Sequence, residues 1–148
     1  DAKNEWRGRV KSGGMEKDAW RFSETAELVA EQDKGFEGFP ALHSNGHQTL
    51  GGNIADVDGL RVSYEAFKHA TAVKKLTRMD GFTPDQRFFI AFAQSWRTNE
   101  RPEQLRLQIA SDLHSPARWR VLGPVANFPE FRAAFGDNEL AIAWPPIW

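Results

Sequence analysis

A chain of 148 residues, 41% of them hydrophobic and including six tryptophans and eleven phenylalanines, has the apolar bulk of one ordinary folded domain, so composition excludes disorder. Nineteen basic against twenty acidic side chains leave a net charge of -1, which gives no basic footprint for nucleic acid or an anionic membrane surface. The absence of cysteine excludes a disulfide framework, thiolate metal sites and sulfur redox chemistry, and no apolar run reaches the roughly 18 residues needed to span a bilayer.

The polar start DAKNEWRGRVKSGG is unlike a signal peptide and reads as an irregular lead-in, so no targeting segment is expected in this chain. A first helix is predicted from about Glu16 to Asp33, with Trp20 and Leu28 on its apolar side and Glu24, Glu27 and Glu31 in water. Gly35 stops it, and KGFEGFPALHSNGHQT, with its glycines and prolines, reads as loop. The next helix has the clearest pattern in the chain: Leu50, Ile54, Val57, Leu60, Tyr64 and Phe67 recur at spacings of three and four and mark a buried face. A second stripe, Gly52, Asp56, Gly59 and Ser63, follows the same spacing and is nearly bare. Two glycines on one face of a helix cost stability and predict close approach of a backbone or a ligand.

Thr83-Pro84-Asp85-Gln86 opens a third helix with a capping threonine, proline at the first helical position and glutamine where a capping box requires it. Phe88, Phe89, Phe92 and Trp96 line its inner face. A further helix starts near Pro102 and runs through Leu105 and Ile109, and a last short one spans about Pro129 to Phe135 before the apolar tail AIAWPPIW. No convincing alternating strand is present, so the predicted fold class is mainly α.

Two constellations could carry chemistry. His43 and His47 have a four-residue spacing compatible with metal ligation, but no glutamate follows the first histidine and the Asn-Gly between them reads as a turn. A loop with one locally bonded histidine is the competing reading. In Asp112-Leu113-His114-Ser115-Pro116 an aspartate two residues from a histidine can hold the ring and favour its charged form. Arg118 and Arg120 follow, completing a candidate donor cluster for a carbonyl, oxyanion or carboxylate; a structural Asp-His pair at a helix end is the alternative.

Taken together, several stretches resemble the C-terminal part of the catalytic domain of the neprilysin-like zinc endopeptidases. His43-Ser-Asn-Gly46, Thr49-Leu-Gly51, Asn53-Ile-Ala-Asp56 and Gly59-Leu60 look like the family's loop and its helix, which usually reads GENIAD. Thr83-Pro-Asp-Gln86, Phe88-Phe89, Phe92-Ala-Gln94 and Trp96 resemble its next helix, and Arg101-Pro-Glu103 the following turn. Asp112, His114, Ser115, Pro116, Arg120, Val121, Gly123, Asn127, Glu130, Phe131, Ala134, Phe135 and a terminal tryptophan fit the remainder. The similarity is strong over residues 40–148 and weaker over 1–39, which implies a single partial domain: the C-terminal helical part of a zincin-like metallopeptidase.

By this resemblance His114, oriented by Asp112, stabilises the oxyanion of the tetrahedral intermediate, Arg120 binds a substrate carbonyl, and Asp56 fixes a zinc-binding histidine. The family's H-E-x-x-H does not occur in this sequence, and its third zinc ligand, the glutamate of GENIAD, is Gly52 here. The chain alone is therefore expected to bind no zinc and to be inactive, with zinc present only where a second polypeptide carrying the upstream half supplies the ligands. The expected role is a subunit or fragment lending oxyanion and peptide contacts to a cleft completed by another chain. The alternative is a pseudopeptidase that binds peptides or serves as an assembly partner. Lack of cysteine departs from the disulfide-bonded animal enzymes and points toward bacterial relatives, some of them exported.

Overall fold

The computed structural model describes residues 16–39 and 42–136. The lead-in over residues 1–14, the side chain of Trp20 and the tail AIAWPPIW lie outside the described residues. Helix α1 covers Glu16–Lys34 and is followed by a short antiparallel hairpin, β1 (Glu37–Phe39) with β2 (Leu42–His43). Five helices follow: α2 (Gly46–Thr71), α3 (Pro84–Ser95), α4 (Pro102–Ser111), α5 (Ala117–Ala126) and α6 (Pro129–Phe135). The mainly α expectation holds, with the loop reading of residues 34–49 corrected by the hairpin and by the early start of α2.

A local cap and a close helix approach explain the early start of α2. Asn45 N-caps α2 by accepting from the Gln48 backbone N–H at 3.2 Å, so the Asn-Gly pair is the beginning of the helix instead of a free turn. Gly46 sits where α1 passes closest: a Cβ built there would lie 1.9 Å from the Ala30 carbonyl oxygen, and no side chain fits. Helix α5 is not among the predicted elements, and it includes Gly123 and Pro124. Proline at position 124 lies in the last turn, and Asn127 closes the end with its backbone N–H on the Pro124 carbonyl at 3.0 Å.

Two apolar clusters hold these helices. Leu60 and Tyr64 of α2, Phe89 of α3, and Val125 and Phe128 form the larger one, with Phe67, Phe88, Phe92, Phe131 and Phe135 packed around it. Its rings meet mainly edge to face, as Phe89 and Phe131 do at 5.3 Å and 89°. The predicted α3 start is realised in full: Thr83 accepts from Gln86 N at 3.2 Å while the Gln86 side chain accepts from Thr83 N at 2.8 Å. The second cluster joins α1 to α2 through Val29, Ala30 and Val57, with Phe36 stacked on Trp119 of α5 at 4.4 Å. No described helix is long and apolar enough to cross a membrane.

Candidate active-site residues

The residues singled out from sequence converge where α2, the loop 112–116 and the start of α5 meet. Gly52 and Asp56 are one helical turn apart on α2, so they share a face. Against the first lies His114: a Cβ built on Gly52 would be 3.1 Å from His114 Cδ2, tighter than ordinary contact. A close approach is found at position 52, but it is made by a side chain and not by the backbone or ligand expected for the bare stripe, and a Cβ at Gly59 would have no described neighbour within 4 Å.

The loop carrying His114 is pinned from several sides. Asp112 ends α4 by donating its N–H to the Gln108 carbonyl at 2.8 Å, and its own carbonyl accepts from Gln48 Nε2 at 2.8 Å. Asp112 Oδ1 accepts from the His114 backbone N–H at 2.9 Å and pairs with His114 Nδ1 at 3.0 Å. The ring hydrogen bond and then the backbone one hold the Asp112 carboxyl below its ordinary value. With Nδ1 so engaged, Nε2 is the ring nitrogen without a hydrogen bond among the described residues, and the imidazole is half exposed.

Arg120 meets the same face of α2 one turn further on, at Asp56. Its Nε and Nη2 donate to Asp56 Oδ2 and Oδ1 at 2.6 and 2.7 Å, and its guanidinium stacks over Trp96 at 3.9 Å. This is a bidentate, charge-assisted pair with little exposure on either side. The partner of Asp56 here is therefore Arg120. Arg118 does not join the cluster expected of it: two residues along a helix point to nearly opposite faces, and its guanidinium lies over the neighbouring Trp119 ring at 4.9 Å.

One part of the site carried no sequence signal strong enough to assign. Asp33, buried near the end of α1, accepts from Thr49 Oγ1 at 2.7 Å on one oxygen and from Ser115 Oγ at 2.8 Å on the other. Asn53 joins in, donating to Thr49 Oγ1 at 3.1 Å and lying with its carbonyl oxygen 3.0 Å from Ser115 Oγ. The available clue was electrostatic: a carboxylate in the last turn of a helix opposes the helix dipole and asks for a compensating partner.

The donor set does not suit a zinc ion. Position 52 offers no ligand atom, both Asp56 oxygens are taken by a guanidinium, and Asp112 and His114 are bound to each other. The His43/His47 pair is also dispersed, because the spacing straddles a helix start: His43 lies in β2, and His47, in the first turn of α2, has Nε2 3.4 Å from Glu27. Among the described residues, the only group spaced to hold a metal is Glu27, Glu31 and His47, with ligand atoms within 4.8 Å of one another, all exposed and with Lys34 already on Glu31.

Comparison with known proteins places this geometry. The sequence matches the description of Peptidase family M13 over residues 1–141. It is 44% identical over 95 residues to endothelin-converting enzyme-like 1 of Homo sapiens, covering 62% of this chain and 12% of that protein. It is 37% identical over 119 residues to Neprilysin-3 of Drosophila melanogaster, covering 78% of this chain and 15% of that one. Among solved structures, the zinc metalloprotease Zmp1 of Mycobacterium tuberculosis in its open state superposes with a TM-score of 0.80 at 30% identity, over 88% of this chain and 21% of that chain. Zmp1 in complex with an inhibitor gives a TM-score of 0.74 at 31% identity, over 80% and 19%. The chain thus spans about a fifth or less of the length of these relatives. Matched along nearly all of its length and sharing their helical arrangement, the chain belongs to peptidase family M13, the neprilysin family of metallopeptidases.

Proposed function

We propose that this chain forms the peptide-contacting wall of a neprilysin-type cleft, with the zinc centre supplied by polypeptide other than the residues described. His114 contacts the oxyanion, Asp112 orients it, and Arg120 binds a substrate carbonyl. The single observation that carries this reading is the imidazole held by Asp112 through Nδ1 over the side-chain-free position 52. When Nδ1–H is given to Asp112, a neutral ring presents only a lone pair at Nε2, so stabilising an oxyanion requires a ring that carries a proton on Nε2 as well. Arg120 spends Nε and Nη2 on Asp56, which leaves the Nη1 N–H groups for a carbonyl and fixes the plane in which they lie.

Zinc, where present in the complete assembly, would polarise the scissile carbonyl and activate water. Asp56, whose carboxylate has acceptor sites beyond those used by Arg120, would steady a zinc-binding histidine from outside the coordination shell. The missing ligand at position 52 favours the second reading, a pseudopeptidase that binds peptides without cutting them.

Two measurements test this. Isothermal titration of the chain with a blocked peptide phosphonate, tetrahedral and anionic like the intermediate, should show binding that Arg120→Ala weakens by roughly tenfold, the worth of about one charge-assisted hydrogen bond. Equal absence of binding in both proteins defeats both readings. Elemental analysis of the protein isolated from its own cells separates them: zinc bound together with a second polypeptide supports a shared cleft, and none supports the pseudopeptidase.

A further inference from the structure

The buried carboxylate of Asp33 has no part in the contacts proposed for the cleft, yet it is tied to the segment that carries them. It sits at 3% exposure, far along the chain from the loop 112–116, and each of its oxygens takes one hydroxyl from a different element. Thr49 lies one turn before Asn53 on α2, and Ser115 directly follows His114. Ser115 has a single hydroxyl hydrogen, and the shorter contact is the one to Asp33. Ser115 is itself 1% exposed, so this bond is shielded from competing water.

We infer that Asp33 is a positioning residue for His114: by bracketing Thr49 and Ser115 it fixes the height of the 112–116 loop above α2, and so sets the imidazole against position 52. The inference rests on the reading of His114 as a peptide-contacting group, but its geometry does not. Asp112 fixes the rotation of the ring within the loop, a bond between residues two apart that travels with the loop. Asp33 fixes where the loop sits. A glycine at 52 leaves no side chain to hold the ring from below, so the register rests on the bracket formed through Ser115 at one end of the loop and on the Gln48–Asp112 bond at the other.

The test uses the whole chain and nuclear Overhauser contacts between the Gly52 α-protons and His114 Hδ2. Wild-type protein should show this cross-peak. Asp33→Leu, similar in size but unable to accept a hydrogen bond, and Ser115→Ala should lose it while the Tyr64 and Phe89 ring signals of the core stay unmoved. Asp33→Asn should keep it, because its carbonyl can accept from Ser115 while its NH2 donates to Thr49 Oγ1, whose hydroxyl turns to the Asn45 carbonyl 3.2 Å away. Should Asp33→Leu fail to fold, Ser115→Ala carries the test. A cross-peak of wild-type intensity in Ser115→Ala or in folded Asp33→Leu overturns the proposal, as does its complete loss in Asp33→Asn. Phosphonate titration of the same proteins keeps the two ideas apart: a wild-type chain with the cross-peak but no binding refutes the peptide role and leaves the positioning role standing.

Discussion

Separating Asp56 from Arg120 is the most informative perturbation of this molecule. The two side chains keep only 9% and 18% of their surface exposed and meet through two hydrogen bonds, and Arg120 stacks on Trp96 as well. Breaking a buried ion pair costs about 3–5 kcal/mol, mainly because the remaining charge is left desolvated; the residual exposure lowers the expectation for Asp56→Ala to about 2–3 kcal/mol. Arg120→Ala should cost about 1 kcal/mol more through the lost stacking on Trp96. Urea unfolding of the two single variants and of the double variant measures the coupling, expected to exceed about 1 kcal/mol because the double change leaves no orphan charge. The exposed pair Lys68–Asp85, at 3.2 Å with side chains 49% and 35% exposed, serves as the control, and Lys68→Ala should cost no more than about 1 kcal/mol. Additive effects of less than about 0.5 kcal/mol at Asp56 and Arg120 would refute the claim that this pair fixes the guanidinium.

Other substitutions probe the fold and the loop. Thr83→Ala removes one half of the capping box and should lower stability by about 1 kcal/mol in thermal unfolding, with Gln86→Ala reproducing part of the loss. Phe89→Ala opens the core where Tyr64, Phe128 and Phe131 meet, and chemical denaturation should register a loss of about 3–5 kcal/mol. Gly52→Ala sets a helix-propensity gain of about 0.5–1 kcal/mol against the 3.1 Å approach to His114, so stability should change little while the His114 ring signals move. Acid should act on Asp112 in a definite direction. Its folded pKa is depressed, so its contribution is present above the ordinary aspartate value and disappears as pH falls through the lower folded value. Carboxyl 13C titration should place that midpoint below about 3.9, and Asp112→Asn should abolish this step.

Most helices were legible because their signals are local. The Thr-Pro-Asp-Gln start of α3 contains its own capping chemistry, and the apolar recurrence from Leu50 to Phe67 identifies the face of α2 that becomes buried. Helix α5 contains a Gly-Pro pair, which normally interrupts a helix; here it falls in the last turn, and the helix ends two residues later at Ala126. The start of α2 was not legible. Asn45-Gly46 satisfies a turn equally well on local grounds, and only the approach of Ala30 makes glycine obligatory there.

The sequence by itself determined the family resemblance, the helical class, the Asp112–His114 pairing across two residues and the absence of a ligand at position 52, because each is fixed by residue identity or by short spacing. Tertiary structure alone decided that His114 lies against Gly52, that Asp56 receives Arg120 while Arg118 turns away, and that Asp33 braces the loop. Those contacts join residues 62 to 82 positions apart, and which groups meet depends on how α1, α2 and α5 pack. Hydrogen bonds act over about 3 Å, so their partners are set only once that packing exists.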